Sequence, residues 1–293
     1  MNSLNSQNSL NYSIYSGAGN DFVMINNLDK IVPLDRQKEF TAKICDDEFK
    51  QIDGVIFLEK PVHGENAIRM NYYNRDGSYG AMCGNGARCI AQFASDEKIL
   101  EADSFNLEAV DKVYKAEIME NNIVKIYFPT PKYYELNIEI EKIHGLNTVI
   151  ANYMQVGSDH IVIFIKDKPN FSVFQSHSLD DININLSGSL LRHHPKFQPA
   201  GANVNFVEII SSNELRVRTY ERGVERETLA CGTGIISSAL IAALQNRVKP
   251  PVKVLSQSNE WLEVDFIINK NEISNLSLKG SAKKIEEGKI TNM

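Results

Sequence analysis

Two short stretches decide how this chain reads: Met82-Cys83-Gly84-Asn85-Gly86-Ala87-Arg88-Cys89 and Ala230-Cys231-Gly232-Thr233-Gly234. Each sets a cysteine and two glycines directly before apolar residues at helical spacing. After the first come Ala87, Ile90, Ala91 and Ala94; after the second, Ile235, Ala239, Ala242 and Ala243. The run IISSALIAAL is apolar nearly all round, which predicts a helix buried inside its domain.

Outward from these stretches the halves of the chain echo each other. Gly19-Asn20-Asp21, before the run 22–25, is matched by Gly157-Ser158-Asp159, before His160 and the run 161–165. Gly54-Val55-Ile56-Phe57-Leu58-Glu59 is matched by Asn203-Val204-Asn205-Phe206-Val207-Glu208, and Tyr73-Asn74-Arg75 by Tyr220-Glu221-Arg222. The offsets are 138, 149, 147 and, for Cys83 and Cys231, 148, always in the same order, which favours a duplication.

The runs 22–25, 55–58, 68–73, 123–128, 161–165, 204–210, 215–220 and 262–268 are rich in Val, Ile, Phe and Tyr and read as strands. The expected fold class is therefore α/β (α+β): two pseudo-symmetric domains, each a mixed sheet wrapped around a central helix. Pro129-Thr130-Pro131 interrupts any strand ladder and marks the boundary. The last strand, past Gly280, is expected to return to the first copy, giving domains 1–130 plus 281–293 and 131–280. Asp180 to Ser189, DDININLSGS, reads as a loop. The first eleven residues, MNSLNSQNSLN, hold no Lys, Arg or apolar core and read as a frayed tail rather than a signal peptide.

The 293 residues are 43% hydrophobic and 23% charged, ordinary for a soluble chain of about two domains. A formal charge of −6, from 37 acidic and 31 basic residues without a basic run, argues against nucleic acid as a partner. The longest strongly apolar stretch, Ile235 to Leu244, is too short to cross a membrane. With no secretion signal, the expected location is cytoplasmic and Cys45, Cys83, Cys89 and Cys231 are expected as thiols. Cys83 and Cys89, with five residues between them and no His nearby, lack zinc-ligand spacing, so no metal site is expected.

A helix start offers unpaired N–H groups and a dipole that bind an anion. The same field favours thiolate over thiol. A Cys-Gly-x-Gly start can thus cradle a carboxylate and supply a base. Two such starts, facing each other, would place one sulfur on each side of a substrate α-carbon. That arrangement suits inversion of a stereocentre: one thiolate removes the α-proton while the opposite thiol returns one. It implies neither a metal nor a pyridoxal cofactor.

Ser16-Gly-Ala-Gly-Asn-Asp-Phe22, Asn74-Arg-Asp-Gly-Ser78, the two Cys-Gly-x-Gly stretches, Tyr220-Glu-Arg-Gly223, Lys279-Gly-Ser-Ala282 and Gly288-Lys-Ile290 together strongly resemble the diaminopimelate epimerase family. The resemblance runs from about residue 14 to about 290. It implies two similar α/β domains and cofactor-independent interconversion of LL- and meso-diaminopimelate, for lysine and peptidoglycan synthesis. Cys83 and Cys231 correspond to the family's catalytic cysteines. The backbones of Gly84-Asn85 and Gly232-Thr233 would form the carboxylate cradle, and Glu221 would take the ammonium at the reacting centre. Arg222, with Asn74 and Asn203, would hold the distal amino-carboxylate end, Asn20 lies on the other binding loop, and His160, like Glu221, would tune the thiols. The resemblance also implies a small amino-acid substrate and a homodimer. Four departures stand out. Ser16 replaces the usual His, and Gly54 brings no side-chain amide. Ser158-Asp159 replaces Asn-Pro, with the Ser158 hydroxyl as the shorter binding group. The span from Glu221 to Cys231 is one residue longer.

Three other readings compete. One is a related racemase, free of pyridoxal phosphate, acting on another amino acid. Another is a cysteine hydrolase using Cys83 with His160. The last is a non-catalytic binding protein on the same scaffold.

Overall fold

The computed structural model describes residues 9–63, 67–141, 148–174, 178–270 and 272–291. From the N-terminus the elements are β1 (Leu10–Gly17), β2 (Asn20–Asn26), α1 (Gln37–Asp47), β3 (Gly54–Glu59), β4 (Ile68–Asn74), α2 (Gly84–Asp96), β5 (Ser104–Ala109), β6 (Lys112–Met119) and β7 (Ile123–Tyr127). Next come β8 (Tyr133–Ile140), β9 (Val149–Val156), β10 (Ser158–Phe164), α3 (Asn170–Phe174), α4 (Ile184–Arg192), β11 (Asn203–Ser211), β12 (Glu214–Glu221) and β13 (Arg226–Thr228). The chain closes with α5 (Gly232–Leu244), β14 (Val252–Leu255), β15 (Trp261–Asn269), β16 (Glu272–Ser281) and β17 (Lys283–Ile290). Two compact units result: residues up to Ile126 together with those from Ser281, and Tyr127–Gly280.

The first unit orders its strands β17-β1-β2-β3-β4-β5-β6-β7. The second orders them β8-β9-β10-β11-β12-β14-β15-β16, with β13 a short strand on β12. In each, only the third and fifth pairings are parallel: β2 with β3 and β4 with β5, β10 with β11 and β12 with β14. The register repeats as well. Phe22 faces Gly54 and His160 faces Asn203; Val55 faces Tyr73 and Val204 faces Tyr220. These are the positions that the sequence offsets pair, so the repeat is structural. The mixed sheets and central helices are the expected fold class.

Both faces of each sheet are covered, which explains the unbroken apolar runs. In the first unit, Val23, Ile25, Val55 and Phe57 pack with Ile44 of α1, while the other face meets α2. In the second, Ile161, Ile163, Val204 and Phe206 pack with Ile184 and Leu191 of α4, while the other face meets α5. Each fully buried Ile or Leu contributes roughly 1.5–3 kcal/mol. Both central helices span thirteen residues and end alike. Lys98 and Asn246 turn to positive φ (55° and 58°), and the next N–H returns to Ala94 and Ala242 respectively.

Two expectations are corrected. The stretch 180–189 is not a loop: it holds a short 3-10 turn, Leu179–Asp181, and most of α4. Asn183 caps that helix by accepting the Leu186 N–H, and Ile184, Gly188 and Leu191 form its buried stripe. The polar tail is shorter than expected, since Leu10 and Asn11 already pair with Ile290 and Lys289, and Leu10 is buried. The part of the tail in residues 1–8 lies outside the described residues. No described helix is long and apolar enough to cross a membrane.

Each helix start presses on the fourth strand of its sheet's order, β3 in the first unit and β11 in the second. A Cβ on Gly86 would lie 2.7 Å from Ile56 Cδ1, and one on Gly234 2.2 Å from Asn205 Oδ1. Gly234→Ala is expected to destabilise the protein by about 1–3 kcal/mol through overpacking, despite alanine's better helix propensity of ~1 kcal/mol. Urea unfolding reads this as a lower midpoint; an unchanged or higher midpoint contradicts the close approach.

Candidate active site

In the first unit, Cys83 is the N-cap of α2, in extended backbone conformation, and its Sγ accepts the Gly86 N–H at 3.4 Å. Asn85, in the first turn, donates from Nδ2 to Asn20 Oδ1 (2.7 Å), joining the helix start to the start of β2. Asn85 Oδ1 accepts from Arg88 (2.9 Å), which is fully buried and also donates to Gly84 O (3.3 Å) and Ser281 O (3.4 Å). The buried guanidinium thus locks the Gly84-Asn85 backbone. Asn74 ends β4 at the same end of the sheet, and its amide donates to Ser78 Oγ (3.0 Å).

In the second unit Cys231 is the N-cap of α5, in extended backbone conformation and buried. Its Sγ lies 3.7 Å from Thr233 Oγ1. That hydroxyl meets His160 Nε2 at 2.9 Å, and Ser158 Oγ meets the same nitrogen at 3.0 Å. On the far side of the ring, Asn205 Nδ2 donates to Ile161 O (3.0 Å) and to His160 Nδ1 (3.2 Å), while Thr219 donates to Asn205 Oδ1 (2.9 Å). A carbonyl only accepts, so Asn205 presents its nitrogen, His160 Nδ1 is an acceptor, and the ring proton sits on Nε2. His160 is fully buried, and burial pulls its pKa down to about 3. The ring is therefore a neutral donor. With Nε2–H given to Thr233, the threonine proton can turn to the Cys231 sulfur, 3.7 Å away. A hydrolytic base needs an open acceptor nitrogen; here Asn205 occupies it.

Beside this group, Glu221 ends β12 and accepts from Thr228 Oγ1 (2.9 Å). Asn203 uses its whole amide: Nδ2 donates to Ser158 Oγ and Asp159 O, both at 3.1 Å, and Oδ1 accepts the Arg222 N–H (2.9 Å). The Arg222 guanidinium pairs with Asp159 (3.0 Å), which also accepts from Tyr153 OH (2.5 Å) and Gln155 (2.9 Å). Burial works against the Asp159 charge, but these donors outweigh it and hold the carboxyl below its ordinary pKa range.

Asn20, Gly84, Asn85 and Cys83 thus gather in one unit, and Ser158, His160, Asn203, Glu221, Arg222, Cys231, Gly232 and Thr233 in the other. Asn74 makes its contacts in its own turn. The sequence reading gave no role to Asn205, Thr219, Tyr153, Gln155 or Arg88. One signal was there: Asn205 is a polar residue inside an apolar run, at the position that answers Ile56.

Over residues 12–131 and 152–285 the sequence matches the family model described as diaminopimelate epimerase. The chain belongs to the diaminopimelate epimerase family. The diaminopimelate epimerase of Aquifex aeolicus is 35% identical, covering 94% of this chain and 95% of that one. The diaminopimelate epimerase of Hydrogenobaculum sp. is 34% identical, covering 94% and 97%. Membership makes the chain an isomerase. A solved hydroxyproline epimerase from Agrobacterium vitis shares the fold at a TM-score of 0.71 and 14% identity, covering 99% of this chain and 94% of that one.

Because His160 is neutral in the fold and ordinarily titrates near 6.5, the unfolded chain binds the extra proton first. Its contribution to stability is complete above about pH 6.5 and is lost as pH falls toward about 3. His160→Gln is expected to flatten the fall in thermal midpoint across that acid window. An acid slope identical to that of the unaltered protein would contradict a buried neutral ring.

Proposed function

We propose that the chain interconverts LL- and meso-2,6-diaminopimelate, a step of lysine and peptidoglycan precursor synthesis, by two-base proton transfer between Cys83 and Cys231. The observation that carries this reading is the equivalence of the two cysteines. Each is the N-cap of the central helix in one of two topologically identical units, in a chain of this family.

On this reading the substrate carboxylate takes backbone N–H groups from the Gly84-Asn85 and Gly232-Thr233 helix starts. One sulfur, as thiolate, accepts the α-proton; the carbanion is held by those donors; the other sulfur, as thiol, delivers a proton to the opposite face. The two cysteines exchange protonation states, and the proton count is unchanged. With no cofactor to delocalise charge, the donors carry most of the barrier reduction, and one well-placed donor is worth about 2.7–4 kcal/mol. Glu221 receives the reacting ammonium. Arg222, with Asn74, Asn203 and Ser158, builds the distal end, where a guanidinium fork suits a carboxylate, and Asn20 binds from the other loop. His160 acts through Thr233 on the Cys231 thiolate. The enzyme works in the cytoplasm, as a homodimer, without a metal or pyridoxal phosphate.

The same chemistry on another amino acid is separated from this reading by substrate choice. Incubation with diaminopimelate in D₂O, followed by NMR, is expected to show deuterium at the α-carbon and formation of the second stereoisomer. Cys83→Ala and Cys231→Ala are each expected to cut epimerisation by roughly 10²–10⁴-fold or more. No label and no stereochemical change with the unaltered protein, or full turnover by either variant, contradicts the proposal.

A further inference from the structure

The Asp159–Arg222 ion pair is closed on one side and open on the other. Arg222 spends Nη1 on the protein: Asp159 Oδ2 at 3.0 Å, Gly201 O at 2.8 Å and Ala200 O at 3.5 Å. Its Nε and Nη2 donate to no acceptor among the described residues. On Asp159, Oδ1 is filled by Tyr153 OH (2.5 Å) and Gln155 Nε2 (2.9 Å), whereas Oδ2 receives Arg222 alone. A carboxylate oxygen accepts two hydrogen bonds, so one position on Oδ2 remains.

Both side chains reach solvent, Arg222 at 28% and Asp159 at 18% of their full exposure. Both are also pre-ordered. Asn203 grips the Arg222 N–H and the Asp159 carbonyl, and Tyr153 and Gln155 fix the carboxylate from β9. An exposed pair held only by its own attraction gains little, about 0–1 kcal/mol. Here three other side chains orient it. What it presents outward is a two-donor guanidinium edge beside one anionic acceptor. That is the complement of an α-amino acid end, whose carboxylate and ammonium are both carried by the α-carbon.

We propose that Asp159 is an ammonium subsite: while Arg222 takes the carboxylate at the non-reacting end of the substrate, Asp159 Oδ2 takes the ammonium beside it. This rests on the reading above, in which the substrate has a second amino-carboxylate end. It assigns to Asp159 the choice of a diamino over a monoamino dicarboxylate. A residue that merely steers Arg222 would affect both kinds of substrate equally.

The test compares diaminopimelate with 2-aminopimelate, which has the same length and both carboxylates but lacks the distal ammonium. Exchange of the α-proton is followed for each in D₂O. Asp159→Asn is expected to lower kcat/KM for diaminopimelate by roughly 10- to 100-fold, chiefly through KM. Turnover of 2-aminopimelate is expected to stay level or improve. Asp159→Ser, which lets water satisfy Tyr153 and Gln155, is the second variant and carries the same expectation. Equal losses on both compounds would make Asp159 a positioning residue for Arg222 and overturn the subsite. So would no loss on either. Failure of the unaltered protein to exchange diaminopimelate overturns the functional reading itself, before any variant is made.

Discussion

The close approach of a helix start to its sheet governs both units. Gly86 sits against Ile56 and Gly234 against Asn205, at distances that leave no room for a side chain. That contact seats the first turn of α2 and of α5 on the strand beside it. Cap cysteine, first-turn N–H groups and the β-strand residues beneath are thereby fixed as one rigid piece. Burial along each helix and matching left-handed closures at Lys98 and Asn246 prevent either helix from sliding. A proton-transfer site needs such fixity, because donors act on a developing charge only where they are already in place.

Within that shared frame the two units are lined differently. Phe22 and Ile56 of the first correspond to His160 and Asn205 of the second. Apolar packing thus stands where the other unit runs Thr219, Asn205, His160 and Thr233 toward the Cys231 sulfur. The chain of donors is directional because the Ile161 carbonyl, which can only accept, holds the Asn205 nitrogen toward His160. Cys83 leans instead on the Gly86 N–H. The two units share one geometry, and polar residues in the second make the surroundings of the two thiols inequivalent.

The parts of this fold that were legible in the sequence are those buried on both faces. The runs 22–25, 55–58, 161–165 and 204–210 are unbroken because helices cover both sides of the sheet, and the cap cysteines announce the helices that follow. Helix α4 was hidden because its stripe is thin: Ile184, Gly188 and Leu191 alone are buried, among Asn and Ser that favour turns. Edge strand β8 was missed for a related reason, its buried positions being mostly at one end. At the site, the cysteines and the Glu221-Arg222 pair stood out, but their partners did not. Tyr153 and Gln155 meet Asp159 only through the β9–β10 hairpin register. Asn205 meets His160 only through a parallel pairing across more than forty residues.

The central claim is that two different sulfurs serve the two faces of one α-carbon. It is tested most directly by starting from a single stereoisomer of diaminopimelate in D₂O and analysing the earliest turnover. The account predicts that newly formed product carries deuterium at the inverted centre while unreacted substrate keeps its protium. Product that retains the substrate's own proton, or label entering substrate as fast as product, would point to a single shared base and contradict it.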